Sequence, residues 1–291
     1  MALRAGGLSM AMSRPEGLPD FEHPPLDELA LGLQFADVPF KNHHAGILWQ
    51  RFLTEYPNVE EQPAVSPVFE TFGAPYAAPD VPQFQIMMRP DTLRYWFVSK
   101  DESQLLQVQP DRVIHNWRRR RPEDAYPRYE QVRARFENEI EKVQAFFGEQ
   151  GWGDIRANQC EVIYINMIGP TEASDNPNRD LGEIFTFWTE HYSDENLSHI
   201  ERGQFNMSFL IEGEPGSEPI GRLHVSASPV LRRSDSALAI QLNITARGRP
   251  NGETLAAGLQ WLDRGRIAVV KAFTSITTQK MHKIWGRKDT Q

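Results

Sequence analysis

The stretch VIHNWRRRRPEDAYPRYEQV, residues 113–132, carries the side chains best suited to contact a nucleic acid. An aromatic ring can stack on a base and arginines can bind phosphates, and here Trp117 directly precedes four arginines. A second basic segment, residues 264–288, holds seven Lys or Arg residues and no acid. The two segments and one arginine between them predict a nucleic-acid or partner interface. Its candidate contacts are Arg118, Arg119, Arg120, Arg121, Arg247, Lys280 and Lys283.

The same basic residues also have a purely structural interpretation. The arginine run falls where a strand ends, and Glu123 and Asp124 follow it as neutralising neighbours. Lysines and arginines near the end of a long terminal helix are favoured by the helix dipole. Because charge runs are usually solvated faces, this structural interpretation is the favoured one.

Three asparagines in predicted strands are candidate ligand contacts. A polar side chain in a central strand costs stability unless its amide is hydrogen-bonded. Asn116, Asn166 and Asn243 therefore either bond to buried loop backbone or point into a shared concave site. With Trp117, they form the predicted ligand-binding set of a pocket between two halves of the chain.

Motifs with a defined catalytic chemistry are absent from the sequence. It contains no GxxxxGK[ST], GxGxxG after a strand, GxSxG, HExxH or CxxC. Cys160 has no histidine near it in sequence, and the histidines within residues 190–199 are too sparse to indicate a metal site. No catalytic residue, metal site or cofactor is predicted, and an enzyme is the less favoured class.

Composition restricts the remaining classes. The chain has 291 residues, of which 40% are hydrophobic, and a net charge of −8, which argues against indiscriminate nucleic-acid binding. A single cysteine excludes an intrachain disulfide and favours a cytoplasmic setting. With no apolar run of membrane-spanning length, we expect no contact with a membrane.

The periodicity of apolar residues predicts an α+β fold. Alternation in residues 28–35 indicates a strand, residues 43–56 a short helix, and residues 84–118 four antiparallel runs. A helix with one apolar stripe follows over residues 127–151, and VFETF (68–72) is expected as a short strand. A strand at 160–169, a helix at 181–192, three strands and a helix from about 253 to 285 complete the chain.

This order predicts an internally duplicated fold. Each half reads as strand, short helix, antiparallel meander and long helix, and GILWQRFLTEY (46–56) aligns weakly with GEIFTFWTEHY (182–192). Two such halves resemble the saddle of the TATA-binding-protein fold; a single sheet folded around a cavity is the alternative. The predicted division is a flexible tail at 1–23, a first half at 24–152 and a second at 153–291, packed as one unit.

Several short motifs resemble a sporadically distributed family of uncharacterised bacterial proteins. They are the proline pair before LDE, the NWRR motif at 116–119, YPRY at 126–129 and HKIWG at 282–286. The resemblance covers about residues 24–287 and implies no activity or catalytic residue. The patchy occurrence of that family implies horizontally moved genes in a defence or mobile-element setting.

Three functional hypotheses follow from these features. The first is a non-enzymatic cytoplasmic binding protein that acts with a protein or nucleic-acid partner. The second is a small-ligand-binding protein or enzyme with a pocket between the two halves. The third is an antitoxin-like subunit that masks another protein. The oligomeric state is not predicted.

Overall fold

The computed structural model describes residues 14–73, 88–172, 175–189, 193–194, 196–197, 200–232 and 235–288. The strands of its large sheet are β2 (Leu26–Gln34), β3 (Asn58–Val65), β4 (Met88–Val98), β5 (Gln104–Gln109), β6 (Arg112–Arg118), β7 (Gln159–Ile168), β8 (Phe205–Ile211), β9 (Gly221–Leu231) and β10 (Leu238–Gly248). A separate pair consists of β1 (Asp20–Phe21) and β11 (Arg287–Lys288). The helices are α1 (Asn42–Trp49), α2 (Tyr129–Glu149), α3 (Leu181–Ile184), α4 (Leu255–Ile276) and α5 (Gln279–Ile284).

The large sheet is antiparallel throughout, in the order β3-β4-β5-β6-β2-β7-β10-β9-β8. Its centre is the pairing of β2 with β7, which places Leu31 opposite Val162. On either side of this pair lie β6 and β10, so the two halves share one continuous sheet. The predicted α+β class is confirmed.

The same order of elements occurs in both halves, with β3 as an additional edge strand in the first. This repetition is what an internal duplication would leave, and the duplication and the saddle shape stay hypotheses. Both long helices lie on one face of the sheet, which we call the helix face.

The apolar stripes of the long helices cover the helix face. In α2 the predicted stripe from Tyr129 to Phe147 is buried, as is most of the stripe of α4. Two glycines of α4 allow close packing: a Cβ at Gly258 would lie 3.1 Å from Leu33 Cδ2, and one at Gly265 would lie 3.1 Å from Val162 Cγ2. Within the described residues, no helix is both long and apolar enough to cross a bilayer.

Several predicted elements differ from the structure. The helix expected at 43–56 ends at Trp49, and Ile47 and Leu53 of its expected stripe are exposed. Of the helix expected at 181–192, only α3 is helical among the described residues. The terminal helix is broken between α4 and α5, because Thr277 is extended and the Thr278 side chain caps α5 by accepting a hydrogen bond from Met281 N.

The segment 66–73, which contains the expected strand VFETF, is not a strand. Its contacts are with residues of the face opposite the helices, the open face: Val68 N donates to Gln34 Oε1, and Arg112 Nη2 donates to Ser66 O. These bonds take the place of a strand ladder. Residues 84–87, expected as part of the meander, lie outside the described residues.

Residues 14–23, placed in the flexible tail by their composition, are packed against the second half. Leu18 and Phe21 are buried, and the Phe21 ring packs edge-on against Phe273 at 5.3 Å between centroids. The short pairing of β1 with β11 fixes this segment. The expected boundary at Pro24 is therefore corrected, because two apolar side chains before it belong to the core.

Candidate functional site

A cavity of about 50 Å³ lies where the two halves meet, on the helix face of the sheet. On the same measure one buried water needs roughly 10–15 Å³, so the cavity has room for a small ligand. Its apolar side includes Phe21, Leu26, Val270 and Phe273. Its polar lining residues are Arg14, Asp20, Tyr126, Arg128, Tyr164, Asn166 and Arg266.

The carboxylate of Asp20 holds two of the cavity's arginines. Arg14 Nη1 and Arg128 Nη1 each lie 3.2 Å from Asp20 Oδ1, and Arg128 Nη1 also donates to Phe21 O at 2.8 Å. Arg128 has φ 73° and ψ 150°, a backbone region that strongly favours glycine. The packing thus holds this arginine at the start of α2 in a strained conformation that presents its guanidinium to the cavity.

The third arginine, Arg266, lies on α4 and is 2% exposed. Its Nη2 donates to Glu130 Oε1 at 2.8 Å, and its guanidinium lies 4.8 Å from the centre of the Tyr129 ring. Its Nε is buried and has no hydrogen-bond partner among the described residues. Leaving a buried donor unpaired costs about 1–3 kcal/mol, so a ligand acceptor that reached this atom would recover part of this cost.

Two tyrosines complete the polar side of the cavity. The hydroxyls of Tyr126 and Tyr164 lie 3.4 Å apart. Burial raises the pKa of both phenols above the usual value, so they stay neutral and can donate hydrogen bonds. Among the described residues, the three arginines lining the cavity are ion-paired with two carboxylates, those of Asp20 and Glu130, so these five side chains carry one surplus positive charge.

This arrangement is suited to binding an anion rather than to acid–base catalysis. Arginines remain charged at all physiological pH values, and phenols of raised pKa do not exchange protons near neutrality. Among the described residues that line the cavity, none is a histidine, cysteine or lysine. The cavity therefore offers fixed donors and a fixed charge next to an apolar surface.

The structure places only one of the three predicted asparagines in this cavity. Asn166 lines it and donates from Nδ2 to Leu242 O at 3.3 Å. Asn116 and Asn243 lie on the open face, because alternate residues of a strand point to opposite faces. Asn116 is buried, accepts from Gln107 Nε2 at 2.6 Å and donates to Glu28 Oε1 at 2.5 Å.

Asn243 is also engaged within its own strand, since its Oδ1 accepts from Gln241 Nε2 at 3.1 Å. The three asparagines do not converge, and the shared concave site expected from the sequence is corrected in this respect. The alternation of side chains along a strand explains the difference. Asn166 points to the helix face, as do Tyr164 and Ile168 of its strand, whereas the other two asparagines point to the open face.

Trp117 is 3% exposed and packs against Tyr126, with 5.3 Å between ring centroids. Its ring is therefore covered and does not present a face to a base. The expectation that Trp117 stacks on a ligand is corrected for this conformation. It belongs to the core on the helix face, beside the residues that lead into α2.

The arginine run is paired with neighbouring acids and backbone groups. Arg118 Nη2 donates to Glu102 O at 3.1 Å, the Arg120 guanidinium pairs with the Glu102 carboxylate, and Arg121 lies 3.4 Å from Asp124 Oδ1. Arg119 N donates to Asp27 O. These contacts support the structural interpretation, in which the run organises the junction between β6 and α2.

The remaining basic candidates are divided between the interior and the surface. Lys280 Nζ lies 2.8 Å from Glu183 Oε2, and Lys283 is exposed at the end of α5. Arg247 is on the open face, 3.1 Å from Glu161 Oε2 and 3.7 Å from Glu70 Oε1. Arg247, held by these two carboxylates on the open face, therefore does not share one surface with Lys280 and Lys283.

Arg247 is part of a charge network under the segment 66–73. We define this network as Glu70, Arg112, Glu161, Arg222, His224 and Arg247. Glu70 pairs with Arg222 and lies 2.7 Å from His224 Nε2, and its side chain is 5% exposed. The network fixes segment 66–73 across the open face.

The double variant Arg120→Ala, Arg121→Ala is expected to have the same affinity for nucleic acid as the wild type, because both side chains are already paired with acids. Binding of a labelled DNA duplex and of a single strand, measured at low and at high salt, checks this. The unfolding temperature is expected to shift little, since both arginines are exposed. A steep salt-dependent affinity that the double variant loses would restore the nucleic-acid interpretation.

Cys160 is a buried core thiol, and the described histidines do not gather into a metal site. Cys160 is 1% exposed, and burial raises the pKa of its thiol, which keeps it protonated. Among the described residues, no group of three or more His, Cys, Asp or Glu side chains could hold a metal ion. His191 and His199 lie outside the described residues.

Sequence reasoning missed the arginines of the cavity. One signal for Arg266 was present, because it falls between Leu262 and Val269 at helical spacing on the apolar stripe of α4. A charged residue on such a stripe indicates a buried pair or a site. The unusual backbone of Arg128 has no comparable signal, and neither has the packing of Arg14 beside Asp20.

A scan against protein-family models and a search of curated proteins each gave no match to this chain. The resemblance to a bacterial family therefore stays a prediction.

Proposed function

We propose that the chain is a non-enzymatic protein that binds a small organic anion in the cavity between its two halves. The observation that carries the proposal is the convergence of three arginines, Arg14, Arg128 and the buried Arg266, on one cavity that also has an apolar side. The surplus positive charge favours a monoanion. The apolar side favours a short hydrocarbon group, so a short-chain carboxylate is the preferred ligand class.

A cytoplasmic setting is part of this proposal and is supported by the single, buried and unpaired Cys160. The hypothesis of a nucleic-acid partner receives less support, because Arg120 and Arg121 of the run are paired with acids and Arg118 donates to a backbone carbonyl. The defence or mobile-element setting rests on the family resemblance alone.

The ligand class can be tested by calorimetric titration with acetate, propionate and butyrate, each compared with its neutral amide. We expect the carboxylates to bind and the amides to bind at least tenfold more weakly, because the amide cannot use the surplus charge. Inorganic phosphate is the second arm of the test. Phosphate binding without carboxylate binding would change the ligand class, and no binding of either would contradict the proposal.

Replacing Arg14 by glutamine is expected to weaken carboxylate binding about tenfold, the effect of losing one charge-assisted contact. Arg14 lies at the rim of the cavity with its side chain 28% exposed, so the fold should tolerate the change. The matched control is Arg156→Gln, whose side chain is 75% exposed in a loose pair with Glu253. Equal affinities of the two variants would place the anion elsewhere on the protein.

A further inference from the structure

The strand β8 forms one end of the large sheet. It pairs with β9 on one side, and no other described residue pairs with it. Phe209 and Leu210 are 45% and 52% exposed. An apolar edge strand with unpaired backbone groups is a template for pairing with another strand.

The opposite end of the sheet has the features that prevent such pairing. Its edge strand β3 carries Glu60 and Glu61, both exposed, followed by Pro63, which has no N–H to donate. Charges and proline at an edge hinder the addition of another strand. The sequence of β8, FNMSFLI, has no charge and no proline. Of the two edges, only β8 is open to association.

The β8 strand of a second copy of the chain is a suitable partner for β8, both in its charge and in the side chains that the pairing would align. The chain carries a net charge of −8, so two copies repel each other on most surfaces, but β8 is neutral and adds no repulsion. In antiparallel self-pairing centred on Ser208, Met207 of one copy lies opposite Phe209 of the other. The same register places Phe205 opposite Ile211. Cross-strand pairs of aromatic and aliphatic side chains stabilise such a pairing.

The apolar side of β8 extends beyond the strand itself. The rings of Phe187 and Phe205 lie 4.9 Å apart between centroids, and Phe187 is 43% exposed. In a pair of copies this surface would be covered together with the β8 side chains, which adds hydrophobic burial to the backbone hydrogen bonds.

We propose that two copies of the chain associate through antiparallel pairing of their β8 strands, which joins the two sheets into one. The proposal is independent of the cavity and of its ligand. The cavity lies at the centre of each chain and β8 lies at one end of the sheet, so both cavities stay accessible in the dimer.

Sedimentation equilibrium on the full chain tests the proposal. We expect a mass of twice the 33.3 kDa of one chain. Ser208→Glu should give monomers, because the two introduced charges face each other at the centre of the pairing. Ser208→Lys alone should do the same. An equimolar mixture of the two variants should recover the dimer, since opposite charges then meet.

The recovery in the mixture separates loss of the interface from loss of the fold. The matched control is Asn138→Glu, at an exposed position of α2 in the other half of the chain, which should leave the dimer intact. A monomeric wild-type chain at the highest soluble concentration would overturn the proposal. A dimer that persists in Ser208→Glu would also overturn it, because the interface would then lie elsewhere.

Discussion

Replacing Glu161 by alanine is expected to lower the free energy of unfolding by about 3–5 kcal/mol, the usual cost of removing one partner from a buried ion pair. The Glu161 side chain is 10% exposed and lies 3.1 Å from Arg247 Nη2 and 3.8 Å from Arg112 Nη1. Its negative charge compensates the two arginines of the network that holds segment 66–73. Without it, Arg112 would be left in a buried site with little compensating charge.

Packing adds to the effect of the lost charge. Glu161 lies over Gly32 of the neighbouring strand, where an added Cβ would come within 2.9 Å of Glu161 Cγ. Alanine at 161 would leave this space empty, which is a further cost. Denaturant unfolding of the Glu161→Ala and Glu161→Gln variants measures the two contributions. Glutamine keeps the volume, so its smaller loss isolates the charge.

The same network makes the free energy of unfolding depend on pH in the acidic range. Burial raises the pKa of the Glu161 carboxyl, but Arg247 and Arg112 together outweigh burial, so its pKa lies below the usual value. A group with a depressed folded pKa stabilises the protein above its unfolded pKa, about 4.3 for Glu, and this stabilisation is lost as pH falls through the folded pKa. Stability of the wild type should therefore decline below about pH 4.3, and less steeply in Glu161→Gln.

The exposed pair Arg156–Glu253 provides the control for this prediction. Both side chains are 75% exposed, so Glu253→Ala should change neither the stability nor its pH dependence appreciably. A loss in Glu161→Ala no larger than in Glu253→Ala would show that the buried network contributes little.

The sequence predicted the regular elements well wherever one face of an element is buried. The stripe from Tyr129 to Phe147 and the alternation in β7 both reflect such a face and are confirmed. The strand β2 is also confirmed, but it is buried on both faces from Leu29 to Gln34. The short helices and segment 66–73 were predicted less well. Local patterns there carry little information, because tertiary hydrogen bonds such as Val68 N to Gln34 Oε1 decide the conformation.

The sequence predicted that a cavity lies between the two halves, but it did not predict most of the residues that line it. Asn166 was a predicted contact, but Arg14, Arg128 and Arg266 converge through pairings that link distant parts of the chain. Arg128 pairs with Asp20, which is 108 residues away in sequence, and Arg266 pairs with Glu130, which is 136 residues away. Such convergence follows from the arrangement of the elements and leaves no local pattern in the sequence.

The conformation of Arg128 leads to a comparison of two variants. Arg128→Ala removes the guanidinium and keeps a side chain in the strained backbone region, whereas Arg128→Gly removes the guanidinium and relieves the strain. We expect Arg128→Ala to be less stable than Arg128→Gly by about 1–3 kcal/mol, the usual cost of a non-glycine residue in such a region. Both variants lose the contacts to Asp20 and to Phe21 O.

Carboxylate binding should respond differently from stability. Both variants are expected to bind a short-chain carboxylate about tenfold or more weakly than the wild type, because each lacks the same charged donor. Thermal unfolding and calorimetric titration of the three proteins measure the two quantities. Equal stabilities of the glycine and alanine variants would argue against a strained Arg128, and unchanged affinity would argue against its part in the anion site. Lower stability in the alanine variant with equally weakened binding would indicate that the strain serves to position the guanidinium.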